Sequence, residues 1–209
     1  MAVIHVFRHP RPQGHEGRCI GRTDLRVDPR RARRLARRIR REAARQGWPR
    51  VVCTSPLQRA RGVGRLLRRW GWQHQVHEAL SEADFGHWDG RLWAEIDPAQ
   101  VDAWVADFAR HAPGGGEPLC ALFERVVAWQ VPVASAVVVG HAGWMLAARW
   151  LATHGPGVWP TADQWPRAPA YGDCWALPWS GAACTSGASA SVGARACGGT
   201  STSLAASPP

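Results

Sequence analysis

Short apolar runs alternate with longer stretches in which apolar residues recur every three or four positions, and this alternation fills residues 1–179. The runs at Ala2 to Phe7, Val51-Val52-Cys53, Gln73 to His77, Ala136 to Val139 and Asp173 to Leu177 predict strands. Ala136 to Val139 is the clearest of them, because an unbroken apolar run suits a strand buried on both faces. Between the strands, Ala32, Leu35, Ala36, Ile39 and Ala43 form one apolar stripe of a helix over Arg30 to Arg45, stopped by Gly47 and Pro49. A second helix is expected to start at Thr54-Ser55-Pro56, with Ser55 as its N-cap and Pro56 at its first position. Leu57, Ala60, Gly64 and Leu67 would face inward on it, and Arg59 would sit in its first turn. Further helices are predicted from Pro98 to Arg110, from Glu117 to Trp129 and from Trp144 to Ala152.

Strands alternating with helices imply an α/β fold, a three-layer αβα sandwich with a mainly parallel sheet. The two helices within Arg91 to Trp129 interrupt the alternation and read as a small helical insertion over the C-terminal ends of the strands. Arg11 to Asp28, rich in glycine, proline and charge, predicts a long loop, and Leu80 to Gly90 a structured one. Residues 1–179 are expected to form one domain. Beyond Trp179 serine, alanine, glycine, threonine and cysteine take over with one charged residue, Arg195, so 180–209 reads as a low-complexity, disordered tail.

Composition then narrows the partners. Lys+Arg number 26 against 16 Asp+Glu, a net charge of +10 that favours anions: nucleic acid, acidic lipid or a phosphorylated metabolite. All 26 of the basic residues are arginine, which a high-GC coding bias would also place on solvated faces. The opening apolar run is too short for a signal peptide and no run is long enough to span a membrane, so a soluble, cytoplasmic protein is expected. Six scattered cysteines without a CxxC pair suggest reduced thiols, with neither a zinc site nor a disulfide framework.

Ligands of open parallel sheets bind beyond the carboxyl ends of the strands. Arg8-His9, Arg59, Glu82 with Asp84, and His141 each follow a predicted strand, so all belong to one rim. Two arginines and two histidines in one crevice suit a phosphoryl group: guanidinium forks match its oxygens and stay charged. A neutral histidine beside them has its pKa lowered and can attack phosphorus in line. A carboxylic acid must then protonate the departing alkoxide and later activate water, a role for Glu82 first and Asp84 second. His74 and His77, three apart on a strand, do not make a metal pair, and His5 reads as core packing or support. His15 and His87 lie in loops near the rim, and thirteen dispersed tryptophans read as core or cap packing.

Arg8-His9, Thr54-Ser55-Pro56-Leu57-Gln58-Arg59-Ala60, Leu80-Ser81-Glu82 with Phe85-Gly86-His87-Trp88-Asp89-Gly90, and Val139-Gly140-His141-Ala142-Gly143 together resemble the histidine phosphatase superfamily, also called phosphoglycerate-mutase-like. The turn Pro113-Gly114-Gly115-Gly116-Glu117 is similar to one that family places before a helix of its insertion. The resemblance implies that His9 is the phosphorylated nucleophile, that Arg8, Arg59 and His141 hold phosphate oxygens, that Glu82 is the proton donor, and that no metal or other cofactor is needed. Where the family usually has glycine after the nucleophile this chain has Pro10, which lacks a backbone donor and biases His9 to an extended conformation.

Gly17 to Leu25 is most similar to the loop of alpha-ribazole phosphatases, which act late in cobalamin biosynthesis, and on that resemblance Arg22 and Thr23 would reach the phosphate or sugar. The expected partner is a small phosphate monoester, with a broad-specificity phosphatase as the alternative. A phosphoglycerate mutase fits less well, because the insertion is modest for an enzyme that must retain its product. The arginine-rich helix from Arg30 to Arg45 leaves a different alternative, a non-catalytic nucleic-acid-binding protein, weakened by the absence of stacking aromatics within that helix.

Overall fold

The computed structural model describes residues 2–134 and 136–179; the tail expected at 180–209 lies outside the described residues. In chain order the elements are β1 (Ala2–Arg8), α1 (Pro29–Gln46), β2 (Val51–Thr54), α2 (Gln58–Arg69), β3 (Gln73–Val76), α3 (Pro98–Ala106), α4 (Leu119–Ala128), β4 (Val137–Gly140), α5 (Ala142–His154) and β5 (Cys174–Trp179). The strands form one sheet in the order β3-β2-β4-β1-β5. Four of them are parallel, and β5 runs antiparallel beside β1 at the edge. The sandwich expected from the alternation is therefore present, closed by one antiparallel strand.

Alternation along each strand sends side chains to two cores. Ile4, Val6, Cys53 and Val138 pack with Leu122, Phe123 and Val126 of α4 and Trp144 and Met145 of α5. Phe7, Val52, Val137 and Val139 pack against Leu35, Ala36 and Ile39 of α1 and Ala60, Val63 and Leu67 of α2. A third, smaller cluster of Cys19, Trp88 and Ile96, with Phe85, Val101 and Trp104 against it, anchors the insertion. Helix α1 starts where Asp28 accepts the Arg30 N–H at 2.7 Å and ends at Gly47, whose left-handed backbone (φ 69°) closes the last turn.

The start of α2 differs from expectation. The helix begins at Gln58, not Pro56, and Ser55 is not its cap. The Ser55 hydroxyl is engaged by His141 at 2.7 Å, and Asp24 reaches over from the long loop to accept the Gln58 N–H at 2.7 Å. A distant carboxylate does the work that sequence alone assigns to the neighbouring serine. The third helix ends at Ala106 instead of Arg110, and the fourth spans Leu119–Ala128 within the expected Glu117 to Trp129.

Two backbones cross directly where the loop after β3 meets the glycine turn of the insertion. A Cβ on Gly86 would overlap the Gly114 carbonyl oxygen, and one on Gly114 or Gly116 would overlap the carbonyl of Phe85 or Asp84. Gly86 and Gly114 are also left-handed, with φ of 54° and 60°. Among the described residues no helix is long and apolar enough to cross a membrane. Cys19, Cys53 and Cys174 are free thiols, each with its pKa pushed up to about 12, burial being the main cause. Gly86→Ala combines backbone strain with a clash against main chain that cannot swing away, so urea unfolding should show a loss of about 3 kcal/mol or more.

Candidate active site

Register brings the site together. In the parallel pairing of β1 with β4, Arg8 lies beside Gly140, and the His9 N–H continues the ladder to the Gly140 carbonyl at 3.0 Å. His9 and His141 thus leave adjacent strands at the same level, with ring centroids 5.0 Å apart. Strand β2 pairs with the other edge of β4, Thr54 opposite Val139, and delivers Ser55 to His141. Arg59, in the first turn of α2, is 1% exposed and sends its Nε to His141 Nδ1 at 3.3 Å. Its remaining nitrogens donate to the carbonyls of Thr23 (2.7 Å) and Gly21 (2.5 Å). The rim inferred from sequence is one cluster: Arg8, His9, Arg59, Glu82 and His141.

Hydrogen-bond partners fix the histidine tautomers. His9 Nδ1 lies 2.8 Å from the Pro10 carbonyl, which only accepts, so Nδ1 carries the proton and Nε2 holds the lone pair. The proline after the histidine therefore supplies what the ring uses, a carbonyl, and its missing N–H is not called on there. His141 is the mirror case: Arg59 only donates, so Nδ1 accepts and the Nε2–H points to Ser55 Oγ. Burial holds the pKa of His9 well below the ordinary imidazole value, helped by the Arg59 and Arg8 charges, and does the same for His141, where Arg59 is the next cause.

Glu82 is 8% exposed. One carboxylate oxygen accepts from the Ala83 N–H at 3.1 Å, and the other from the Gly143 N–H, at the start of α5, at 3.2 Å. A Cβ on Gly143 would stand 2.5 Å from Glu82 Oε1, so the glycine of Gly140-His141-Ala142-Gly143 makes room for this carboxylate. The backbone beneath Glu82 is held by Arg125, which donates to the carbonyls of Ala79, Ser81 and Glu82 at 2.8–3.0 Å. Arg125 is itself paired with Glu117 through two bonds of 2.7 and 2.8 Å. Sequence reasoning missed Arg125; its only trace there is a basic residue on the helix that follows Glu117.

Asp89 is the second omission. Its carboxylate accepts the N–H groups of Gly21, Arg22 and Thr23 together with the Thr23 hydroxyl, and so shapes the loop whose carbonyls hold Arg59. Thr23 is thus committed to Asp89, while the Arg22 guanidinium lies 3.8 Å from Asp84, and neither of these two side chains lines the cavity described below. Asp84 also accepts the Gly86 N–H at 2.8 Å. Tyr171 is the third omission. The Arg8 guanidinium lies 3.9 Å above its ring, and His9 and His15 pack against it at 5.5 and 5.4 Å. Arg8 Nε is buried without a hydrogen-bond partner among the described residues, a cationic donor left for an anion.

Above this cluster opens a cavity of about 420 Å³. Arg8, Glu82 and Tyr171 wall one end, whereas His9, Arg59 and His141 lie deeper and almost inaccessible. Phe85, Trp93, Trp104, Phe108 and Trp165 form much of the rest. Trp144, Trp129 and Trp179 do pack in the core as the sequence suggested, but Trp93, Trp104 and Trp165 also line a ligand-sized space. The other histidines stand apart: His5 stacks on Trp48 at 3.6 Å, His74 meets Thr54 Oγ1 at 2.8 Å, His77 packs edge-on to Trp129, and His87 borders a separate depression. His15 lines the cavity. Among the described residues no cluster of three or more His, Cys, Asp or Glu side chains could hold a metal ion.

Comparison with known proteins agrees with this geometry. The profile of the histidine phosphatase superfamily, branch 1, matches residues 4–161. The chain is similar to the structure of mycobacterial glucosyl-3-phosphoglycerate phosphatase Rv2419c, with 25% identity, a TM-score of 0.65, and 85% of this chain and 90% of that one covered. It is also similar to TTHB049 from Thermus thermophilus, with 29% identity, a TM-score of 0.60, and coverage of 85% and 94%. No curated protein sequence matches it.

The buried neutral histidines make stability depend on pH with a definite sign. Their folded pKa values lie below the 6.5 of an accessible imidazole, so the unfolded chain takes up protons first as pH falls. Stability from this source is complete above pH 6.5 and is lost as pH falls from there through the depressed values. Urea titrations between about pH 6.5 and pH 5 should show the unfolding free energy falling, and replacing His9 by asparagine should flatten that slope by up to about 1.4 kcal/mol per pH unit.

Proposed function

Because the chain belongs to the histidine phosphatase superfamily, we propose that it is a phosphatase that cleaves phosphate monoesters through a phosphohistidine on His9, with alpha-ribazole 5'-phosphate as its substrate. The observation that carries the reaction class is the His9 imidazole itself: neutral, with Nδ1 tied to the Pro10 carbonyl and Nε2 bearing the lone pair, between the Arg8 and Arg59 guanidinium groups. In the first step Nε2 attacks phosphorus, a P–N bond forms, and the P–O bond to the substrate alcohol breaks. Glu82, entering as the carboxylic acid, gives its proton to the departing oxygen. In the second step the Glu82 carboxylate takes a proton from water, whose oxygen attacks phosphorus and releases phosphate and free His9.

Arg8 and Arg59 stabilise the charge on the equatorial oxygens, fixed in place before the reaction begins, so the step calls for no metal. Arg8 brings its unpartnered Nε–H, and His141 brings an Nε2–H that would exchange Ser55 for a phosphate oxygen. A structure of the similar mycobacterial phosphatase is a complex with inorganic phosphate. Arg22, beside Asp84, would meet the sugar; Thr23 contributes through its carbonyl on Arg59.

The aromatic wall supports the alpha-ribazole reading. Phe85, Trp93, Trp104, Phe108 and Trp165 offer flat apolar surface to the base of a nucleoside whose 5'-phosphate lies at Arg8. A second reading, a glucosyl-3-phosphoglycerate phosphatase, rests on the similar mycobacterial structure and on Arg18, which faces the same cavity and would meet a carboxylate. Release of inorganic phosphate from alpha-ribazole 5'-phosphate, glucosyl-3-phosphoglycerate, 3-phosphoglycerate and simple sugar phosphates separates them. The first should give the highest kcat/KM, and equal slow turnover of all would reduce the protein to a broad-specificity phosphatase.

The mechanism is tested by rapid quenching with a labelled substrate, which should trap an acid-labile, base-stable phosphoenzyme that His9→Ala abolishes. A stable, folded His9→Ala variant with undiminished turnover sinks the nucleophile assignment. Gly143→Ala places a methyl group against the Glu82 carboxylate and should lower kcat by about 10²-fold, the magnitude of a lost general acid, with little change in the melting temperature.

A further inference from the structure

A second concavity, of about 1000 Å³, lies on the far side of Tyr171 from the reaction cavity. It is lined by Arg11 and by seven arginines of α1 between Arg30 and Arg41, together with Pro10, Leu35 and the loop at 170–172. Among the described residues no carboxylate lines it. We propose that this groove binds a linear, phosphate-dense polyanion that carries no bases, a site separate from the phosphate-ester centre and independent of the reading given to that centre.

The spacing of the arginines carries the proposal. Arg30, Arg34, Arg37 and Arg41 follow one another at four, three and four residues, so they form a single ridge with about one guanidinium per 5.4 Å turn. All four are exposed. The ridge spans about 16 Å, longer than one phosphate group and suited to a chain of them. Repulsion between like charges three and four residues apart works against the helix, and a multivalent anion along the ridge relieves it. One arginine of the set is already committed: Arg38 pairs with Glu42 at 2.6 Å and donates to the Gly172 carbonyl at 2.9 Å, which fixes the far wall of the groove to α1. The four ridge arginines face solvent.

The chemistry of the lining selects among polyanions. A single-stranded nucleic acid would need aromatic faces for its bases, and the one ring that the described residues bring to the lining, Tyr171, is already covered by Arg8 at 3.9 Å. An acidic peptide would have to order a flexible side chain for each carboxylate it presents, whereas a phosphate in the backbone of its own chain brings its oxygens to a guanidinium fork without that entropy cost. Linear inorganic polyphosphate is therefore the probe of choice.

The test measures binding of polyphosphate of defined chain length to the full-length protein over a range of salt concentrations. The expected result is salt-dependent binding that R34Q/R37Q/R41Q weakens by at least about tenfold while lowering the slope of log K against log salt by about two, as three lost contacts to a flexible strand require. The variant R65Q/R68Q/R69Q removes the same charge from α2 and should bind within about twofold of the parent. Circular dichroism melting establishes that both triple variants are folded. Equal weakening by the two variants would show that net charge, and not the groove, attracts the anion. The proposal is likewise overturned if an oligonucleotide or polyglutamate of equal charge binds more tightly than polyphosphate, or if nothing binds at low salt.

Discussion

A single buried guanidinium organises the catalytic centre. Arg59 is fully desolvated, yet it stays protonated and takes partners from three directions: His141 from the end of β4 and the carbonyls of Gly21 and Thr23 from the long loop. Burying such a charge is costly unless its donors are satisfied. The loop carbonyls supply that satisfaction, and Asp89 in turn holds the loop backbone in the conformation that points them inward. The same charge keeps both histidines neutral after burial has begun to do so. Structure and reactivity are therefore coupled through one group. Loosening the loop would not only expose Arg59 but would let the two imidazoles titrate closer to their ordinary range.

Around that centre the histidines and the carboxylate have separate supports. The two histidines stand on adjacent parallel strands, while Glu82 is suspended from the Gly143 N–H and from a backbone that Arg125 grips at three carbonyls. The Glu117–Arg125 pair belongs to the insertion, so the element that walls the cavity also positions Glu82. Tyr171 joins this region to the arginine groove: one cation from the reaction site, Arg8, lies 3.9 Å over the ring, and Arg11 of the groove lies 5.6 Å from the same ring. The reaction site and the arginine groove thus meet at one aromatic side chain.

The family and the five central residues were legible in the sequence because each depends on a local pattern. Arg8-His9 and Gly140-His141 are strand ends, Arg59 is a first-turn residue of a helix, and Glu82 follows a short strand. The αβα layering was legible for the same reason, since hydrophobic period separates strand from helix without knowledge of neighbours. What local pattern misassigns is any polar group with a remote partner. Ser55 has the residue type and position of a helix cap, but its hydroxyl is taken by a histidine 86 positions away and Asp24 caps the helix in its stead. The roles of Tyr171, Asp89 and Arg125 carry no local signal, even where Asp89 lies inside a recognisable motif, since each matters only through what lies across from it.

The sequence by itself determined the order of elements, the burial of each face and the residue types brought to the strand ends, since hydrophobic periodicity and backbone preferences are local properties. Tertiary structure alone decided the register that sets His9 beside His141, the His141 tautomer that Arg59 and Ser55 impose, the antiparallel direction of β5, the aromatic wall over Glu82 and the concave array of arginines behind Tyr171. The reason is physical: a tautomer, a shifted pKa and a cavity are properties of the distance between groups far apart in the chain, and those distances exist only once the chain has closed on itself.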